Sequence, residues 1–216
     1  MRSCKKYLLL LLGLLLMAAV GGCGGIGYEE TDENKPVTIK SPEGLPTNPK
    51  ILIAYFSHTG KTEVAAWQIQ AAVGGQLFEI QAAAPYPQDA RDCGKIAGQE
   101  LAANARPPLA ANIVDLDQYE TIFIGYPIWY GTEPMAVRTF LEAHDFTGKV
   151  LVPFATSDKS GIEQSVADIA VSCPQADIAQ GLILHDVGTG KMQRLISSWL
   201  EGVRGEIDAF KKKRAA

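Results

Sequence analysis

Residues Ser57–Thr62, in "FSHTGKT", place three hydroxyl side chains, a histidine, a lysine and one glycine between an apolar run and a helix-like segment. A helix that starts here points its free N–H groups and the positive end of its dipole into the loop, which selects for an anion. Ser57, Thr59 and Thr62 add hydroxyl donors, and Gly60 lets the backbone curl closely around a small group. Phosphate fits that chemistry.

Two nucleotide-binding alternatives fail on the residues. A Walker A loop also ends in "GKT", but it needs a glycine where Tyr55 stands and a metal-binding aspartate where the next apolar run ends in "FIGYP". A dinucleotide loop needs three spaced glycines, and only Gly60 is present. A terminal phosphate, as in a mononucleotide, is the expectation that remains.

The elements that must position this loop follow from periodicity. "KILIAYF" (Lys50–Phe56) reads as a strand buried on both faces, and "KTEVAAWQIQAAV" as a helix with Val64, Ala65, Ile69 and Val73 on one stripe. Strands are then expected at "GGQLFEIQ", "YETIFIGYP", "GKVLVPFAT" and "ADIAQGLIL". Helices are expected at "ARDCGKIAGQELAANA", "EPMAVRTFLEAH", "GIEQSVADIAV" and "KMQRLISSWLEGVRGEIDAF". Strands alternating with helices imply an α/β fold with a parallel sheet covered on both faces, either in flavodoxin-like order 2-1-3-4-5 or as a Rossmann-type half. In either, ligands sit at the carboxyl ends of the strands, where Ser57–Thr62 lies.

The start of the chain is read separately. Arg2, Lys5 and Lys6 precede an apolar stretch from Leu8 to Val20, too short to span a bilayer of about 30 Å and suited to a signal peptide over residues 1–22. "VGGC" resembles the lipobox of bacterial lipoproteins, which implies a lipid on Cys23 and an exported, envelope-anchored protein. Residues 23–49, rich in Gly, Pro, Glu and Thr, are expected to be a flexible tether, and residues 50–216 the folded domain.

Removing Met1–Gly22 takes away three basic residues and no acidic one, moving the formal balance from −4 to −7. That argues against a nucleic-acid partner and leaves the lipid as the expected membrane contact. The spacing of Cys93 and Cys173 with the histidines suits no metal, and no disulfide between the two is expected, because a helix should lie between them. His144 and His185 read as surface or loop residues, and His58 as contributing its backbone more than its ring. "PYPQDARDC", opening the long Pro85–Pro108 connection, reads equally as a lid or partner surface and as an ordinary capped helix.

With "ILIAYFSHTGKT", "IFIGYPIWYGTEPMAVRTFLE" and "VPFATSDKSGI" in this order, the chain resembles the flavodoxin family over roughly Lys50 to Phe210. The resemblance implies a flavodoxin-like three-layer sandwich with a five-stranded parallel sheet in order 2-1-3-4-5, and FMN as cofactor. It implies that Ser57, His58, Thr59, Gly60, Lys61 and Thr62 hold the FMN phosphate. It further implies that Pro127, Ile128, Trp129, Tyr130 and Gly131 border the isoalloxazine ring, and that Thr156, Ser157, Asp158, Lys159, Ser160 and Gly161 close its other side.

Trp129 and Tyr130 supply the aromatic surface that a flat ring needs. Two departures stand out: Lys61 replaces a neutral asparagine common in the family, and Asp158–Lys159 replace an aromatic, leaving one ring face more open. The implied function is electron transfer outside the cytoplasmic membrane, with a redox protein or small acceptor as partner. The alternatives are an NAD(P)H- or quinol-linked reductase of quinones or nitro compounds, and a non-redox lipoprotein that lost its flavin.

Overall fold

A computed structural model describes residues 48–215. The expected signal peptide, Cys23 and nearly all of the expected tether fall outside the described residues. Within them the chain runs β1 (Ile51–Tyr55), α1 (Lys61–Val73), β2 (Gln76–Glu79), α2 (Ala90–Ala102), β3 (Thr121–Pro127) and α3 (Met135–Glu142). It continues with β4 (Val150–Thr156), α4 (Glu163–Ser172), β5 (Asp177–Ile178), β6 (Leu182–Leu184) and α5 (Thr189–Ala215).

All strand pairs are parallel, in the order β2-β1-β3-β4-β5, with β6 also paired to β4. This is the expected 2-1-3-4-5 arrangement. β3 and β4 are buried nearly throughout, as their unbroken apolar runs demand. One core cluster joins the sheet to α2, α3 and α4, and the second joins it to α1 and α5, giving three layers. Cys93 and Cys173 share the first cluster as free, buried thiols.

The fifth strand departs from its expected form. "ADIAQGLIL" is interrupted, and β5 and β6 share one sheet position beside β4. The cause is Pro153. On this side of β4, Leu151 O accepts from Ala179 N–H and Ser157 N–H donates to Leu184 O, so Pro153 faces the same way with no N–H to give. From Leu151↔Ile178 to Phe154↔Leu182 the partner strand uses one residue more than β4, a bulge. α5 satisfies the freed backbone: Trp199 Nε1–H donates to Gln180 O at 2.9 Å, and Gln180 N–H donates to Glu206 Oε2 at 2.7 Å.

The Pro85–Pro108 connection is zipped at its base, where Ala83 N–H donates to Pro108 O and Ala110 N–H to Gln81 O, each at 2.8 Å. Asp89 caps α2 by accepting from the N–H groups of Arg91 and Asp92.

Candidate functional site

A cleft of about 300 Å³ opens at the carboxyl ends of β1, β3, β4 and β6. One end is the start of α1. Gly60, at φ +84°, is the N-cap and brings no side-chain hydrogen bond. A Cβ on Gly60 would meet nothing within 4 Å, so the requirement for glycine comes from its left-handed backbone. Ser57 Oγ accepts from Glu63 N–H at 3.3 Å, deeper in the first turn. The cap thus turns backbone donors toward the cleft, where Thr59 also lies.

The first turn of α1 and the end of β4 are tied together by Thr62 and Thr156, whose buried hydroxyls lie 2.9 Å apart. The β3 end turns sharply. Trp129 and Thr132 exchange backbone hydrogen bonds of 2.9 and 3.1 Å around Tyr130 (φ +52°) and Gly131 (φ +86°), the left-handed pair of a type I′ hairpin. Trp129 is held edge-on against Phe56, Tyr86 and His58, with ring centroids 5.3, 5.1 and 5.7 Å away. That cluster fixes the indole as a wall of the cleft.

Of the residues singled out in the sequence, His58, Thr59, Lys61, Pro127, Ile128, Trp129, Thr156, Ser157 and Asp158 line the cleft. Ser57, Gly60, Thr62 and Gly131 shape the backbone around it. Tyr130 does not join Trp129 as a second aromatic wall. The left-handed turn throws it outward, 63% exposed, and its hydroxyl donates to Gly94 O at 2.8 Å on α2. Its ring lies where a Cβ on Gly98 would come within 3.2 Å. Lys159, Ser160 and Gly161 sit beyond the cleft in a turn closed by Ser157 Oγ, which accepts from Lys159 and Ser160 N–H at 3.3 and 2.9 Å.

Lys61 is half exposed at the cleft mouth, where its Nζ donates to Asp186 Oδ1 at 2.9 Å and lies 3.8 Å from Asp158, drawn by the two carboxylates. His58 contributes its ring as well as its backbone. Nε2–H donates to Pro87 O at 2.8 Å, clipping the Pro85–Pro87 turn to the α1 loop. That turn is further held by Tyr86, whose hydroxyl donates to Glu100 Oε2 at 2.6 Å and whose acidity burial suppresses.

The β6 end and the first turn of α5 supply residues that the sequence reading missed: Leu184, His185, Asp186 and Val187 from the former and Met192 from the latter. In a 2-1-3-4-5 sheet the loop after the fifth position abuts the loop after the fourth, so strand order was the signal that could have found them. His185 Nδ1–H donates to Ser157 O at 3.2 Å and joins the two loops at the rim. His144 lies in the loop after α3, as expected, and is half-buried, its ring 4.5 Å from Phe140. Among the described residues no group of three His, Cys, Asp or Glu is placed to hold a metal.

The donor set fits FMN on its own terms: an open helix cap for a phosphate, an indole wall, and aliphatic lining from Ile128, Leu184, Val187 and Met192.

Comparisons with known proteins point the same way. Residues 50–203 match the flavodoxin family. A solved structure assigned as a flavoprotein, from Bacteroides eggerthii, is 35% identical over 73% of this chain and 99% of its own, with a TM-score of 0.64. Another so assigned, from Bacteroides uniformis, is 34% identical over 70% and 99%, with a TM-score of 0.63. A flavoprotein from Lactobacillus acidophilus, solved in complex with FMN, shares the fold at 22% identity over 67% and 99%, with a TM-score of 0.55. No curated protein matches the chain. Motifs at three strand ends, the sheet order and the match across most of the folded domain agree: the chain belongs to the flavodoxin family.

Proposed function

We propose that the protein binds FMN in the strand-end cleft and serves electron transfer. The observation that carries this reading is the glycine-initiated start of α1, whose N-cap residue makes no side-chain hydrogen bond, at one end of a cleft walled by a rigidly held tryptophan. Bound FMN supplies reversible one- and two-electron chemistry. The chain supplies the rest. The α1 N–H groups and the Thr59 hydroxyl hold the phosphate, and Trp129 and Ile128 flank the ring. Asp158 and Asp186 at the mouth oppose the gain of further negative charge nearby and favour a low potential. Titration of the purified, flavin-free protein with FMN tests the reading: saturable quenching of flavin fluorescence and a perturbed visible spectrum are expected. Free-flavin behaviour throughout overturns it.

One observation favours a reductase as the second reading. The Ser157–Ser160 side offers an exposed Asp158, with a side chain 84% accessible, where an aromatic would cover the ring. A small quinone or nitro compound could approach that face. Rapid reduction of the FMN-loaded protein by NADH in stopped flow would assign this activity, whereas a carrier accepts hydride very slowly.

The proposal extends to location. The basic start, the Leu8–Val20 stretch and "VGGC" support export and a lipid on Cys23. Metabolic labelling with a tagged fatty acid should mark the wild type and leave Cys23→Ala unmarked.

A further inference from the structure

Behind the cleft wall lies a polar cluster that the cofactor reading does not use. Thr132, which closes the Trp129 hairpin, places Oγ1 2.6 Å from Glu133 Oε2 and 2.5 Å from Asp168 Oδ2. Arg138 brings Nε and Nη2 to 2.7 and 2.6 Å from Glu133 Oε1. Its Nη2 is also 3.1 Å from Thr132 Oγ1 and 3.2 Å from Asp168 Oδ2. The Glu133 side chain is 0% exposed, that of Asp168 27%.

A hydroxyl has a single hydrogen, and ionised carboxylates only accept. If both acids were charged, Thr132 would satisfy one and meet the other oxygen-to-oxygen with nothing between. Both separations are as short as bonds that contain a hydrogen, about 2.5–2.7 Å. Charge points the same way. Arg138 with two carboxylates leaves a net negative charge behind the wall, whereas one added proton makes the group neutral.

We propose that Glu133 is a positioning residue held as a neutral carboxylic acid. Its O–H donates to Thr132 Oγ1, and the Thr132 hydroxyl donates to ionised Asp168, locking the hairpin that sets Trp129 against the cleft. The proton belongs on Glu133 because Asp168 reaches water and also accepts from Gln164 Nε2 at 2.9 Å. Burial, the largest influence, raises the Glu133 carboxyl above its ordinary range in spite of the neighbouring Thr132 hydroxyl and Arg138 guanidinium.

The other ionisable groups around the cluster stay fixed near neutrality. Tyr126 of β3 bonds Ser165 Oγ at 3.1 Å and is pushed up by burial. Cys173, at the end of α4, is pushed up to about 12 by burial. Arg106, beyond α3, is paired with Glu142 at 2.6 Å. A carboxyl that converts above the ordinary carboxylate range in this cluster therefore reports Glu133.

The test is a carboxyl carbon NMR titration of the full chain, with the Thr132 backbone N–H, which donates to Trp129 O, followed in the same samples. In the wild type, the Glu133 carboxyl carbon is expected to stay at its protonated position through the ordinary glutamate range of about 4.3 and to convert only above it. The Thr132 resonance should move on the same curve. In Glu133→Gln the amide replaces the acid as donor to Thr132, and the Thr132 resonance should lose that titration. Asp168→Asn, which removes the neighbouring negative charge, should bring the Glu133 midpoint down, and it decides the matter if the glutamine variant does not fold. A Glu133 that ionises within the ordinary range, a Thr132 titration on the Glu133 curve that survives in Glu133→Gln, or an unmoved midpoint in Asp168→Asn would overturn the assignment. These readouts need no FMN, so failure of the cofactor reading leaves the test intact.

Discussion

Thr62 Oγ1 and Thr156 Oγ1 lie 2.9 Å apart, both buried, and join the first turn of α1 to the end of β4. Residues on either side of this bond line the cleft, Lys61 from one element and Ser157 from the other. The bond therefore holds two walls of the cleft at a fixed separation.

Replacing Thr156 by the isosteric valine leaves the Thr62 hydroxyl buried without its partner. A buried group so abandoned costs about 1–3 kcal/mol, while removing both partners can be nearly neutral. Urea unfolding should therefore show Thr156→Val destabilised by about that amount and the double variant Thr62→Val, Thr156→Val recovering most of the loss.

Asp186 ties up the Lys61 ammonium at the cleft mouth. Both side chains are largely solvated, so the pair contributes under about 1 kcal/mol to stability, and Asp186→Asn should leave the unfolding midpoint almost unchanged. It should tighten FMN binding several-fold, by removing a negative charge beside an anionic ligand and freeing a positive one. Fluorescence titrations at low and high salt check this, with the gain shrinking as salt screens the charges.

Gly125 on β3 pairs with Phe154 on β4, and a Cβ at Gly125 would lie 2.5 Å from Phe154 Cε2, with the ring's Cζ nearer still. Phe154 is fully buried and its ring has nowhere to swing. Gly125→Ala should lower stability by about 1–3 kcal/mol, the usual range for overpacking. Adding Phe154→Leu should return part of it, a coupling that thermal unfolding of the four-member cycle would measure.

Much of this arrangement is written in local sequence. α1 spans Lys61–Val73 as its periodicity predicts, because the loop before it and Gly74 after it mark both ends. The βα alternation announces a parallel sheet, and three strand-end motifs select its order. What stayed hidden depends on register and on distant partners. Pro153 breaks its neighbour strand only because its missing N–H faces that strand, which no reading of "VLVPFAT" reveals. The carboxylate that claims Lys61 lies 125 residues away. Tyr130 follows Trp129 directly, yet its left-handed backbone sends it to α2, so adjacency in sequence does not place both rings at one wall.

Glu133 gives the stability of the protein a pH dependence of unusual sign for a carboxylate. Its carboxyl is raised in the folded state, chiefly by burial, whereas the unfolded chain returns it to the ordinary value. The folded state thus keeps a proton that the unfolded state releases, and stability falls as pH rises from the ordinary carboxylate range through the folded value. Below that window both states are protonated and the contribution is complete. Asp or Glu residues paired with cations behave the opposite way and lose their contribution as pH falls, so the two effects separate in a pH series. Chemical unfolding from mildly acidic to mildly basic buffer should show wild-type stability declining relative to Glu133→Gln, which has no proton to lose there. A difference between the two that stays constant across the series would place a charged glutamate in this pocket.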